Sequence, residues 1–226
     1  MKFDLHIHSK YSYDSFLRPD TIIKVAKKKG LDGVAVTDHN TIKGGIETSN
    51  INKDDDFVVI VGSEIKTEYG DVIGLFLTDE IRSRVFVDVV DEIRDQGGLT
   101  VLAHPFRKGI VFPRDLLGHV DLIEGFNARS TKNLNQKAIE LARGCRIPVT
   151  AGSDAHLGFE IGGGQAVTRT LTRTPEGGEV RCALKNGETL IEGKESSYYL
   201  VHGLSVGTEI MVSGYTVLKG ILHRTM

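Results

Sequence analysis

Within its first eight residues the chain places Asp4, His6 and His8 in the run Phe3-Asp4-Leu5-His6-Ile7-His8. On an extended strand alternate side chains share a face. Asp4, His6 and His8 are therefore expected on one side, with Phe3, Leu5 and Ile7 on the other. At a rise of roughly 3.3 Å per residue, the two imidazoles would sit about 7 Å apart at Cα. Nitrogen donors at that spacing can converge on one metal ion. An exposed polar face that happens to carry histidine fits the same pattern, so residues elsewhere must decide.

Those residues recur at the ends of apolar runs. "VAVTDH" ends in Asp38 and His39, "VVIVGSEI" carries Glu64, "VLAHPF" carries His104, "TAGSDAH" delivers Asp154 and His156, and Asp14 stands in "YSYDS". Each has a plainer explanation when taken alone. Asp38 or Asn40 would serve as a helix cap beside His39, and Asp14 as the cap of a turn. His104 would serve as a core histidine, its backbone biased toward extended geometry by Pro105. Glu64 fits the plain reading worst, because a buried carboxylate is costly unless it is paired or bound to metal.

Together the eight groups exceed what one four-coordinate zinc needs. His6, His8, Asp14, His39, Glu64, His104, Asp154 and His156 suit two or three divalent ions with mixed nitrogen and oxygen ligation, of the Mn, Zn or Fe type. Such centres activate a water and clamp the oxygens of a displaced group, above all in phosphate-ester chemistry. Asp38 is read as a supporting partner that orients His39 or a neighbouring ligand. His119, His202 and His223 fall away from these positions and are read as structural or surface residues.

The elements that must position these groups follow from the pattern. Helices are expected at about 19–29, 83–96, 133–143 and 178–186, the first opening with Pro19 and stopping at Gly30, the second stopped by Gly97-Gly98. Strand-like runs alternate with them, and the segment between "GVAVTDH" and "DFVVIVGSEI" reads as turns. Strand–helix repetition with near-continuous apolar strands implies an α/β fold with a parallel sheet, closed as a barrel or doubly wound. The polar residues then lie at the C-terminal strand ends, where parallel α/β barrels collect catalytic groups.

Composition narrows the class. A chain of 226 residues, 40% hydrophobic and 26% charged, suits one α/β barrel domain. A formal charge of −2 gives no global basic field that would advertise nucleic acid. Cys145 and Cys182 lack zinc-type spacing and are expected as free thiols. The strand pattern begins at Lys2 and no apolar run reaches membrane-span length, so a cytoplasmic protein without a membrane partner is the expectation. From about Ser196 the rhythm breaks into an appendage, 196–226, whose apolar residues would pack on the barrel or on a second subunit as a homo-oligomer.

The motifs "DLHIHSKYSYDS", "LDGVAVTDHNTIKGG", "GSEI", "AHPF", "FNAR" and "AGSDAHLGFEIG", running in this order from Met1 to about Gly164, resemble those of the PHP (polymerase and histidinol phosphatase) family. The resemblance implies a distorted (βα)7, TIM-like barrel with a trinuclear metal centre on its C-terminal rim. It maps the ligands onto the same eight residues. Arg107 in "HPFR" and Arg129 in "FNARS" resemble the family's phosphate-binding positions, and an arginine fork matches phosphate oxygens.

The implied activity is a metal-dependent phosphoesterase. A metal-bridged water would attack phosphorus, with His156 or another rim histidine assisting the leaving group. The expected partner is a small phosphomonoester, a nucleotide or a short oligonucleotide end. Two alternatives stay open: a non-catalytic, metal-stabilised PHP module serving a partner protein, and a metal-dependent amidohydrolase, which also begins with His-x-His on a first strand.

Overall fold

A computed structural model of the chain describes residues 1–107, 109, 111–168 and 177–195. In order these form β1 (Lys2–Ile7), α1 (Pro19–Lys28), β2 (Gly33–Val36), α2 (Lys43–Ile51), β3 (Val58–Thr67), β4 (Gly70–Leu75), α3 (Phe86–Asp95), β5 (Leu99–Leu102), β6 (Leu122–Asn127), α4 (Lys132–Cys145), β7 (Val149–Gly152), β8 (Gly164–Thr168), α5 (Gly177–Lys185) and β9 (Thr189–Gly193). A six-residue 3-10 helix, Arg114–His119, joins β5 to β6. His119 closes it and is exposed, consistent with a surface role. The appendage, with His202 and His223, lies outside the described residues.

The strands form one sheet in the order β7-β6-β5-β4-β3-β2-β1-β8-β9. It is an α/β fold, and the sheet is nearly closed. It is not uniformly parallel, as the alternation of strands and helices had implied. β1, β2, β3, β5, β6, β7 and β9 point one way, while β4 and β8 run against their neighbours. Closure happens at the rim. Of β1, only Lys2 and Phe3 at its start pair with β8. At the other end of β1 the chain following β7 meets it directly: the Asp154 N–H donates to the His6 carbonyl at 2.7 Å and the His8 N–H to the Ala155 carbonyl at 2.9 Å.

The interior is filled by Phe3, Leu5, Ala35, Ile60, Ile73, Leu75, Leu99, Val101, Leu122 and Ala166, with Val180 and Leu184 of α5 packed against them. Outside, Ile22 and Ala26 of α1 cover Val34 and Val36 of β2. α3 and α4 bury Phe86, Val89, Val90, Ile93, Ala138 and Ala142 over the opposite strands. α3 starts three residues later than the expected 83; Val85 precedes it and is exposed, and Phe86 is its first buried residue.

β1 does not follow simple alternation. Its register against β2 slips: Asp4 pairs with Val34 but Ile7 with Val36, so β1 advances three residues while β2 advances two. This bulge re-aims the side chains beyond it. Phe3 and Leu5 remain in the interior, whereas Ile7 turns outward to Ile22 and Val36. His6 and His8 thereby end up above the interior core, and Asp4 parts from them. The Asp4 carboxylate instead accepts from the N–H groups of Ser153 at 2.8 Å and Gly162 at 2.6 Å, bracing the loop after β7.

The segment expected as turns contains α2. Its sequence, Lys-Gly-Gly-Ile-Glu-Thr-Ser-Asn-Ile, is poor in strong helix formers. Packing explains the glycines. A Cβ on Gly44 would lie 1.9 Å from Asp38 Oδ2 and 2.2 Å from Ser9 Oγ, so the helix comes as close to the rim as backbone allows. Cys145 and Cys182 are free and exposed. No described helix is long and apolar enough to cross a membrane.

Candidate metal centre

The rim brings all eight of His6, His8, Asp14, His39, Glu64, His104, Asp154 and His156 together. Donor atoms of four overlapping groups lie close enough to share ions: His8/Asp14/His39/His156, His6/His104/Asp154, His6/His8/Glu64 and Glu64/Asp71/His104. At the centre, His6 Nε2 and His8 Nε2 stand 3.0 Å apart. Two nitrogens bound to one tetrahedral ion at 2.0–2.1 Å would be separated by about 3.3 Å. Glu64 Oε2 approaches the pair at 3.5 and 3.3 Å, and Asp154 Oδ1 at 3.5 and 3.2 Å.

Hydrogen bonds to the far side of the rings fix which nitrogen faces inward. His6 Nδ1 sits 2.9 Å from Glu124 Oε1, and His156 Nδ1 sits 2.9 Å from the Asp154 carbonyl; a carboxylate oxygen and an amide carbonyl accept, so each Nδ1 donates. His8 Nδ1 lies 3.0 Å from Ser12 Oγ, whose own proton goes to Asp38 Oδ1 at 3.0 Å. In the neutral form of each of the three rings the proton belongs on Nδ1, which turns the Nε2 lone pair into the site. Neutral imidazoles held this way by outer partners are what metal ligation requires.

Asp38 touches none of the rings directly and reaches two of the histidines through a serine. Its carboxylate accepts from Ser9 N at 2.5 Å, Ser9 Oγ at 2.7 Å and Ser12 Oγ. Ser12 Oγ in turn accepts the His39 N–H at 3.0 Å, so Asp38 steadies His8 and His39 through one hydroxyl.

Electrostatics fit a cation. Burial alone would raise Glu64 and Asp154, yet His39 and His6 hold Glu64, and His6 and Arg107 hold Asp154, well below the usual carboxylate range. Burial lowers His6, but Asp154, Glu124 and Glu64 more than reverse this and hold it well above the ordinary imidazole value. His8 is pushed down to about 3 by burial and by His156 and His39. Asp14 Oδ1 is buried with no hydrogen-bond partner, while its Oδ2 meets His156 Nε2 at 2.9 Å. A buried, orphaned carboxylate oxygen beside inward-facing lone pairs suits divalent ions.

Two of these groups are held in uncommon backbone. His104 has φ +26° and Asp154 φ +55°. Pro105 therefore does not hold His104 extended, as the sequence implied; the rim geometry prevails, and strain of this kind collects at functional sites. Glu64 is not a strand terminus either. The β2 ladder stops at Val61, and β3 continues through Glu64 into a hairpin with β4.

That hairpin supplies a residue the sequence reading missed. β4 runs antiparallel, so its start, Asp71, reaches the C-terminal rim beside Glu64 and His104. Glu124 was missed too. It lies within β6, and besides holding His6 it accepts the His104 N–H at 2.9 Å and Asn127 Nδ2 at 3.0 Å.

Both arginines face the same cavity, of about 150 Å3, which is lined also by Tyr13, Asp14, His39, Glu64, Asp71, His104, Asp154 and His156. Arg107 Nη1 donates to Asp154 Oδ2 at 2.6 Å, and Nη2 to Asn127 Oδ1. Arg129 is buried and reaches Glu160 through Nε at 3.0 Å and Nη2 at 3.3 Å. Glu160 Oε2 also accepts the N–H groups of His156 and Leu157, at 2.9 and 2.8 Å. Neither arginine is a loosely solvated surface group.

The PHP domain model matches residues 4–157, well over half of the chain. The chain belongs to the PHP domain family. A PHP-associated model matches residues 132–189 of this PHP protein. An uncharacterized protein of Methanocaldococcus jannaschii is 43% identical over 141 residues, 57% of this chain and 82% of the relative. A second from the same archaeon is 34% identical over 173 residues, 72% of this chain and 68% of the relative.

Among solved structures, a two-domain Bacteroides vulgatus protein containing a predicted PHP-like metal-dependent phosphoesterase superposes with TM-score 0.74 at 20% identity, over 86% of this chain. This chain spans 65% of that protein's length. An amidohydrolase from Chromobacterium violaceum superposes with TM-score 0.57 at 17% identity, over 71% of this chain and 89% of that one. At these identities the likeness establishes the barrel-like fold. Family membership and the donor clusters support a metal-dependent hydrolase.

Proposed function

We propose that this PHP protein is a metal-dependent phosphoesterase acting on a small phosphomonoester, a nucleotide or a short oligonucleotide end. The observation that carries the reading is one cavity lined by carboxylates, imidazoles and two anchored arginines. His6, His8, Asp14, His39, Glu64, His104, Asp154 and His156 would hold two or three divalent ions of the Mn, Zn or Fe type, with Asp71 a further oxygen donor. Bound there, such ions lower the pKa of a coordinated water and offset charge on the reacting phosphoryl group.

The chain's own residues do the rest. Arg107 and Arg129 would bind nonbridging phosphate oxygens, their planes already set by Asp154, Asn127 and Glu160. Glu124, Ser12 and the Asp154 carbonyl keep three imidazoles in the ligating tautomer. His156 was assigned both ligation and proton transfer in the sequence reading. Its Nδ1 is committed to a carbonyl, so only Nε2 faces the cavity and it can serve one of the two roles. We assign it to ligation.

The test is hydrolysis by protein loaded separately with Mn, Zn or Fe. The substrates are p-nitrophenyl phosphate, bis-p-nitrophenyl phosphate, AMP, histidinol phosphate, short oligonucleotides and an N-acyl amino acid. Metal-dependent release of phosphate from a monoester is the expected result. Turnover of the amide alone would make the amidohydrolase reading correct, and bound metal with no turnover would leave a structural module.

A further inference from the structure

The cavity is too small for a whole substrate. At about 150 Å3 it is roughly half the lower bound of typical small-molecule pockets, which suits a phosphate group but not a phosphate with its leaving group. The leaving group must therefore rest at the mouth, where Tyr13 is exposed.

Tyr13 is the one carbocyclic ring in the cavity lining. It lies nearly parallel to the His39 imidazole, with centroids 4.9 Å apart and 19° between planes, yet it is 59% exposed. Among the described residues, every exposed phenylalanine or tyrosine lies on two rim loops: Tyr11, Tyr13 and Phe16 after β1, and Phe159 after β7. The loops are tied together, because Ser15 Oγ reaches both the His8 carbonyl at 2.9 Å and the His156 carbonyl at 3.2 Å. Tyr13 thus stands on one side of the mouth, stacked on His39, with much of its surface open to a ligand.

We propose that Tyr13 is a specificity-determining residue that stacks on a planar ring in the leaving group, so that the substrate is a nucleoside or arylalkyl phosphate. This rests on the phosphoesterase reading. Stacking of a base on an aromatic side chain is sequence-tolerant and strong enough to change affinity roughly ten-fold. Polar cavity residues cannot supply that selectivity, since they see only the phosphate.

The experiment compares matched esters whose leaving groups are all primary alcohols, on metal-loaded protein. AMP against ribose 5-phosphate tests for a nucleobase, and benzyl phosphate against cyclohexylmethyl phosphate tests for any flat ring. Wild-type protein should favour the flat member of at least one pair by roughly ten-fold in kcat/KM. A preference confined to the first pair assigns the ring to a nucleobase. Tyr13→Ala should collapse that ratio toward one, and Tyr13→Phe should keep it, with metal content checked in each.

No preference in the wild type, or a Tyr13→Ala loss equal for both members of each pair, would overturn the proposal. Wild-type failure on all four esters and on the phosphate esters tested above would instead sink the phosphoesterase reading. Calorimetric binding of AMP against ribose 5-phosphate would then judge the stacking by itself: tighter AMP binding lost in Tyr13→Ala supports it, and equal binding refutes it.

Discussion

Single residues at the rim carry charge that needs cations beside it, Glu64 and Asp154 above all. Glu64 and Asp154 each approach both His6 and His8, so Glu64→Ala or Asp154→Ala should remove an oxygen shared among several donors. Activity should fall to background and metal content should drop, as measured by elemental analysis beside phosphate release; near-wild-type turnover in either variant would remove the multi-ion assignment. Arg107→Ala and Arg129→Ala should behave differently. They should keep metal and lose about 1.5–3 kcal/mol of charge-assisted hydrogen bonding, a roughly ten- to hundred-fold drop in kcat/KM. A phosphomonoester carries about two charges near neutral pH, so it should suffer more than a diester. Equal small losses on both would mean that the arginines serve the fold alone.

Protons should compete with metal at the same atoms. Burial lowers His39, but Glu64 and Asp14 outweigh it and raise it to about 10. Metal-free His39 therefore holds a proton at neutral pH that ligation must expel. Apparent metal affinity should climb as pH rises toward that value, and binding heats in buffers of different ionisation enthalpy should reveal proton release. Affinity independent of pH between 6 and 9 would contradict the assignment.

At the scale of elements, the site is positioned by close approaches that composition does not advertise. Gly44→Ala would improve helix propensity by up to about 1 kcal/mol in an open helix. Here its methyl meets the buried Asp38 carboxylate, and overpacking of that kind costs about 1–3 kcal/mol. The variant should melt several degrees lower and bind metal less tightly, because Asp38 acts through Ser12 on His8 and His39. A raised melting temperature would show that α2 has room to spare.

The same elements show what could be read from sequence. Most of the eight groups that meet at the rim were legible because an apolar run followed by His or Asp is conspicuous at a strand end, although Asp14 stands in a loop and Glu64 inside β3. Asp71 was not, because its place at the rim depends on β4 running backwards, and direction is a property of pairing. Glu124 looked like part of an apolar strand, and only the chain folded around it shows the rings it holds. The β1 bulge was equally hidden, since the register slip that separates Asp4 from the two histidines lies between strands. α2 was read as turns because its glycines serve packing against propensity.

At the scale of the whole molecule, the barrel closes where the donors sit. The contact between the end of β1 and the chain following β7 runs through His6, His8, Asp154 and Ala155, so ions bound there would clamp the seam of the sheet. Removing them should loosen the fold as well as stop chemistry. The most direct test of the central claim is therefore elemental analysis of the purified full chain, with thermal melts before and after chelation. About two or more divalent ions per chain are expected, with a melting temperature that falls on chelation and recovers on metal return. Fewer than about one ion per chain after exposure to Mn, Zn and Fe, with an unchanged melt, would contradict that claim.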